Sequence, residues 1–478
     1  PRWLTDYIHS KGLRAGVWLV PNAYAGAVQD HPDWYLRDRQ GQLVLDYQTP
    51  ALDSTHPGAK DFLRQLFTTL DDWGFDYYKF DGEHALPRYA PPVDSSRLYD
   101  RTIDPLVAYR ERLKLIRETL GPSRFIEGCP SGAPLNGIGF FNSYFNGDDL
   151  YGSWQGMYAL FSSINANVFF NHLLAYVMPG EGMELGPPMS VDEARQKRPA
   201  EVVSVAKSRE DPLRGFGVTT AEARTLVSWV ALTGVAYPLA SVMPELPQER
   251  VRLLQQTLPT LPILPLDLYS RGNDMRWNIF KSVTPDTYIH NYADVLDLKV
   301  NAVAGAYDVV GLTNWHSEPE TRSITFTAQL GLAPGVKYTV FDFWAQKLLG
   351  TFSQGMDLEV APHDTRVLAI HPELDHPQLV GISRHISGAY SIRELGWDTT
   401  RRTLRGTSDA VAGDDYTLFV DVPEGFEVAT ATANEGPSAL TPKLKREGRL
   451  LQLTFNGQGQ PVSWSISFAV TAAGSARR

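Results

Sequence analysis

The sequence predicts an α/β chain: a (β/α)8 TIM barrel lacking its first strand, followed by C-terminal antiparallel β-sandwich domains. Three observations carry this expectation. Short strand-like runs alternate with amphipathic helical stripes through residues 1–265, which is the rhythm of parallel strands joined by crossover helices. From about Leu266 the periodicity switches to two, with turn residues between runs and no helical stripe. Ionisable residues also gather at the C-terminal ends of the early strands, where barrels assemble active sites. The expected domains are a barrel over 1–265, a β-sandwich over 266–373 and a second β domain over 374–478.

In chain order, Trp3, Leu4, Tyr7 and Ile8 form a helical stripe that Gly12 stops, and Leu13–Val20 reads as a strand ended by Pro21. Pro50–Ser54 is a short strand candidate, Pro57–Trp73 an amphipathic helix stopped by Gly74, and Phe75–Asp81 the next strand. A long helix over Asp100–Leu120 leads to the strand Arg124–Cys129. Ser143–Phe145 is a brief strand, Ser153–Ile164 is helical, and Val168–Val177 fits either state. Residues 178–218, rich in Pro, Gly and charge, read as a long insertion on the active-site side. Thr220–Leu232 is a helix capped by Thr219 or Thr220, Val235–Ala240 a last strand and Pro247–Leu258 a last helix. These make seven strands where a closed barrel needs eight. Because the chain opens in a helix, the absent strand is most simply the first. Further on, Tyr338–Phe343 and Arg366–Ile370 alternate as strands, and Trp464, Ile466 and Phe468 alternate with serines as in a half-buried strand.

Composition narrows the function. Of 478 residues, 43% are hydrophobic and 21% charged, enough for packed cores. The net charge of -10 argues against nucleic acid or an anionic membrane as partner and favours neutral or cationic ligands. One cysteine excludes an internal disulfide framework and a cysteine-based zinc site. No apolar run approaches a membrane span, and residues 1–20 lack a leader pattern, which favours the cytoplasm.

The chemistry centres on Phe75-Asp76-Tyr77-Tyr78-Lys79-Phe80-Asp81-Gly82-Glu83-His84, a strand that carries charge at its C-terminal end. Other strand-end acids are Asp53 and the Asp148-Asp149 pair. Two carboxylates facing one bond can hydrolyse a glycoside, one as nucleophile and one as acid then base, when about 5 Å apart for retention. Asp81 beside Lys79 suits a nucleophile, which must stay ionised, and adjacent carboxylates at 148 and 149 suit a proton donor. Simpler alternatives stand beside these: an ion pair of Lys79 with Asp81, a helix cap at 148 or 149, and a metal site from Asp81, Glu83 and His84. Trp18, Trp34, Tyr151 and Trp154 could offer flat faces to sugar rings. Cys129 reads as a small buried residue. No phosphate loop, dinucleotide fingerprint or His-Glu-x-x-His motif occurs.

These motifs resemble the melibiase-type α-galactosidases, within the retaining α-glycoside hydrolases. Gly12–Trp18 with His31-Pro32-Asp33-Trp34 resembles the family's second strand and loop, and Ala51-Leu52-Asp53 its third strand. Lys79-Phe80-Asp81 resembles the Lys-aromatic-Asp motif, and Gly128-Cys129-x-Ser131 the fifth-strand motif lining the sugar site. The resemblance implies that Asp81 is the nucleophile, that Lys79 binds sugar hydroxyls, and that Trp18, Asp53 and Cys129 contact substrate. It selects Asp149 as acid/base, because Trp154 follows it by five residues. It implies an oligosaccharide or glycoside substrate, most simply an α-galactoside, with no metal or organic cofactor. Other α-linked sugars, transglycosylation and a non-catalytic carbohydrate-binding role are the alternatives. Phe145 stands where many relatives carry a sugar-binding Arg, four residues before the acid/base.

Overall fold

The computed structural model describes residues 1–21, 30–46, 48–82, 97–129, 134–147, 149–150, 153–190, 192–193, 196, 217–261 and 293–471. The chain forms two compact units: residues 1–149 with 166–181, and residues 150–165 with 182–478.

The first unit opens with helix α1 (Arg2–Ser10) and strand β1 (Gly16–Leu19). The hairpin β2 (Leu45–Asp46) and β3 (Thr49–Pro50) comes next, then helix α2 (Pro57–Asp72) and strand β4 (Tyr77–Phe80). Helix α3 (Pro105–Leu120), β5 (Phe125–Gly128), β6 (Ser143–Phe145) and β7 (Tyr176–Met178) complete it. Among the described residues the parallel sheet runs β1-β4-β5-β6-β7. Its order follows the chain, as in a barrel wall. Alternation along β4 decides what faces where. Tyr78 and Phe80 turn outward onto Phe67 of α2, with ring centroids 6.1 and 5.5 Å away. Lys79 and Asp81 take the other face.

Several expected elements differ. Pro50–Ser54 is not a sheet strand: β1 pairs directly with β4, and Thr49–Pro50 instead closes a two-stranded hairpin. Helix α3 starts at Pro105 rather than Asp100, because Asp100 Oδ1 accepts from the Thr102 backbone N–H at 2.9 Å in a turn of its own, while Asp104 caps α3 at 2.7 Å from the Leu106 N–H. Val168–Val177 splits into a 3-10 turn (Val168–Phe170) and β7. Val235–Ala240 contributes one isolated bridge, Met183 to Leu239, rather than a strand.

The second unit includes helix α5 (Thr220–Thr233) and α6 (Gln248–Gln255), with α4 (Tyr158–Asn167) spanning the division between units. Thr219 and Glu222 form a reciprocal capping box at the start of α5. From Val295 the described chain is strand and turn only. A five-stranded antiparallel sheet spans Val295–Pro372, beside a ribbon of Glu320–Thr325 and Gly355–Val360. Their shared core holds Val310, Ile324, Phe326, Val340, Val360 and Ile370. Two further antiparallel sheets lie within Gln378–Val470, and Phe341, Ala369, Val380 and Phe419 join the two β regions in one apolar cluster.

Candidate active site

The C-terminal ends of the parallel strands continue one another's ladder. The Asp81 N–H donates to Leu19 O at 3.0 Å, the Cys129 N–H to Phe80 O at 2.8 Å, and the Asn146 N–H to Met178 O at 2.9 Å. Residues just beyond each strand are therefore held in register, at the edge where parallel sheets build sites.

Asp81 sits at the end of β4. Its Oδ2 accepts from the Trp18 indole N–H at 3.0 Å, and its Oδ1 from the Gly82 N–H at 2.7 Å. Trp18, on β1, is 54% exposed, so a large flat ring lies beside a carboxylate with access to solvent. Cys129, past the end of β5, lies close to Asp81. Burial, and then the Asp81 charge, pushes its thiol well above the ordinary range, so it acts as a neutral wall rather than a nucleophile.

Lys79 is buried one alternation step below Asp81. Its ammonium is paired with the Glu181 carboxylate and lies 4.7 Å from the centroid of the Phe145 ring. Burial works against its charge, but the hydrogen bond and charge of Glu181, with Glu127 nearby, outweigh it and hold the ammonium above the usual lysine range. Glu127 on β5 lies opposite Lys79 in the β4–β5 register. It accepts from Tyr77 Oη at 2.5 Å and Ser143 Oγ at 3.1 Å. Burial raises its carboxyl above the ordinary glutamate range, against those two hydroxyls and Lys79.

Asp149 is exposed and forms a parallel backbone bridge with Glu181. Gly147 makes this approach possible: a Cβ there would lie 1.9 Å from the Pro179 carbonyl oxygen. The cap alternative for Asp149 fails, since the next helical turn begins at Gln155 and Ser153 Oγ accepts from the Gly156 N–H at 3.3 Å. Asp148, Tyr151, Ser131, Glu83 and His84 lie outside the described residues.

Lys79, Asp81, Trp18 and Cys129 thus come together, with the Asp149 backbone tied to the Glu181 that reaches Lys79. Asp53 does not join them. It is buried, with Oδ1 taken by Thr55 N–H at 2.9 Å and Thr55 Oγ1 at 2.7 Å, and Oδ2 by the Tyr99 N–H at 2.7 Å. These three protein donors tie Asp53 to the loop segments at Thr55 and Tyr99. The expected Lys79–Asp81 pair is also replaced, because the ion pair of Lys79 is with Glu181. Trp34 stacks on His31 at 3.8 Å and packs against Gly58 of α2, and Trp154 is 3% exposed, so neither offers a free face. Glu181 and Glu127 are the residues that sequence reasoning missed. Glu127 shares a strand face with Cys129 by the two-residue period, a usable signal, whereas Glu181 falls in the Pro- and Gly-rich stretch past β7.

Comparison with known proteins bears on the fold. Residues 301–370 match the alpha galactosidase C-terminal beta sandwich domain. Alpha-galactosidase 1 of Pediococcus pentosaceus is 29% identical over 140 residues, covering 26% of this chain and 18% of that relative's length. In fold, the chain is similar to a GH27 β-L-arabinopyranosidase from Geobacillus stearothermophilus, with TM-score 0.53, 16% identity, and 78% of this chain and 77% of that one covered. A structure assigned as an alpha-N-acetylgalactosaminidase from Bacillus halodurans C-125 gives TM-score 0.51 at 16% identity, with 78% of each chain covered. The chain thus shares its fold with these barrel-and-sandwich proteins, and its residues 301–370 match the sandwich that closes alpha galactosidases.

Proposed function

We propose that this protein is a retaining α-glycoside hydrolase whose substrates are terminal α-galactosides. The observation that carries the proposal is the meeting of Asp81, Trp18, Lys79 and Cys129 at neighbouring strand ends, with the Asp149 bridge beside them. Asp81 attacks the anomeric carbon and displaces the aglycone, while Asp149 gives a proton to the departing oxygen. Asp149 then takes a proton from water as that water attacks the glycosyl ester and frees Asp81. Trp18 donates to the Asp81 oxygen, which orients the carboxylate, and its ring face suits a sugar's C–H face. Lys79 supplies fixed positive charge below the ring. None of these steps calls for a metal or organic cofactor.

The test is hydrolysis of a panel of aryl α-glycosides by the wild type, Asp81→Ala and Asp149→Ala, with the anomer of the first product read by NMR. Cleavage of the α-galactoside with retention, abolished in Asp81→Ala, is the expected result. A wild type that cleaves none of the panel overturns the proposal.

A further inference from the structure

Glu181 is the one acid in this constellation whose charge is both spent and available. Its carboxylate holds the buried Lys79 ammonium, yet its side chain is 54% exposed, against 10% for Lys79. Its backbone is bridged to Asp149, so its position is tied to the same strand end as the proton donor. Phe145 closes one side of the ammonium with an apolar ring at 4.7 Å, leaving no guanidinium there to donate to a sugar. A donor and an acceptor so joined match a vicinal diol, in which one hydroxyl accepts from the ammonium and its neighbour donates to the carboxylate.

We infer that Glu181 is a specificity-determining residue, which fixes Lys79 in place and accepts a hydrogen bond from the sugar hydroxyl next to the one Lys79 serves. The inference deepens the hydrolase proposal, because it takes the sugar site to be the one at Asp81. It differs from a purely structural salt bridge in one respect: the effect of Glu181 must depend on a particular hydroxyl of the substrate. The analogue lacking that hydroxyl forfeits its hydrogen bond to the carboxylate, so it should be recognised less well by the wild type and no worse by a variant without Glu181.

The experiment compares wild type, Glu181→Gln and Glu181→Ala on an aryl α-galactoside and its 2-, 3-, 4- and 6-deoxy analogues. On the parent substrate both variants should raise KM by about 10- to 100-fold, with kcat changed much less. On one deoxy analogue the penalty should shrink to within about twofold, as a double-mutant cycle requires. An equal penalty on every analogue, or none on the parent, overturns the inference. Glu181→Gln keeps the side-chain shape at a half-exposed position, and thermal melting of both variants separates misfolding from lost recognition. If the wild type proves inactive, the same cycle is read by calorimetric binding of the methyl α-galactoside and its deoxy forms. Hydroxyl-dependent binding loss then upholds the role of Glu181 while the hydrolase proposal falls, and no binding by the wild type overturns both.

Discussion

In the proposed mechanism Asp81 is the attacking carboxylate, and an indole N–H and a backbone N–H fix the direction of its two oxygens. Asp81→Asn keeps the shape and removes the attacking charge, so turnover should fall by at least about 10³-fold, measured as kcat on an aryl α-galactoside. Asp149→Ala should behave differently. An aryl leaving group of low pKa needs little protonation, whereas an alkyl or sugar aglycone needs it fully. The loss should therefore be about 10-fold or less on the activated substrate and at least about 10³-fold on a disaccharide, and equal losses on both would remove Asp149 from the acid/base role. Much of this was legible: Lys79 and Asp81 share a strand face two residues apart, and Trp18 ends its own strand. The donors that Asp53 meets at Thr55 and Tyr99 were not legible, because a strand-end acid and a loop-pinning acid look alike in sequence.

Elements place these residues, and their close approaches set the tolerance. The chain after β6 passes the Pro179 carbonyl so tightly that only a residue without a Cβ fits at 147. Gly147→Ala should displace the segment bearing Asp149 and cost about 1–3 kcal/mol of stability. The associated loss in kcat/KM should approach 10²-fold, roughly what a 1 Å misplacement costs. Denaturant unfolding and steady-state kinetics on one sample check both. Periodicity revealed α2, β4 and β5 because their apolar residues are buried against neighbours, whereas it revealed α1 by a stripe of Trp3, Leu4 and Tyr7 that stays exposed. It misplaced Pro50–Ser54, whose apolar residues Ala51 and Leu52 are buried without joining the parallel sheet. Burial and strand character are the same signal in so short a run. Local side-chain turns at Asp100 and Asp104 likewise override the helical stripe that extended α3 too far upstream.

At the scale of the whole chain, the two β regions share a junction built partly on buried imidazoles. His371 stacks on Tyr307 at 4.2 Å, and Tyr307 Oη donates to Ser387 O at 2.6 Å. His385 lies between Ser387 Oγ, at 2.8 Å, and Pro259 O, at 3.1 Å. Burial lowers both histidines from 6.5 to about 4. A depressed folded value means their contribution is complete above about pH 6.5 and is lost as the pH falls toward 4, on the order of 3 kcal/mol each. The protein should therefore lose stability steeply between pH 6.5 and 4. His371→Phe, which keeps the stack but takes up no proton, should flatten that limb in denaturant melts. Unchanged pH dependence would show that the junction does not drive it. The β character of this region was plain from period-two alternation, while the pairing of its sheets, set by long-range register, was not.

The alternation along β4 has one more consequence. Its outward residues pack on a helix, and its inward ones face the cluster of Trp18, Cys129 and Glu181. Two design problems therefore share four residues: changes at Tyr78 and Phe80 should alter thermal endurance, and, on the proposed mechanism, changes at Lys79 and Asp81 should alter turnover. A single inserted residue upstream in the strand would exchange the two sets, turning the Asp81 carboxylate toward α2 and an aromatic ring toward Trp18 and Cys129. The permitted drift of this strand is thus substitution and never insertion.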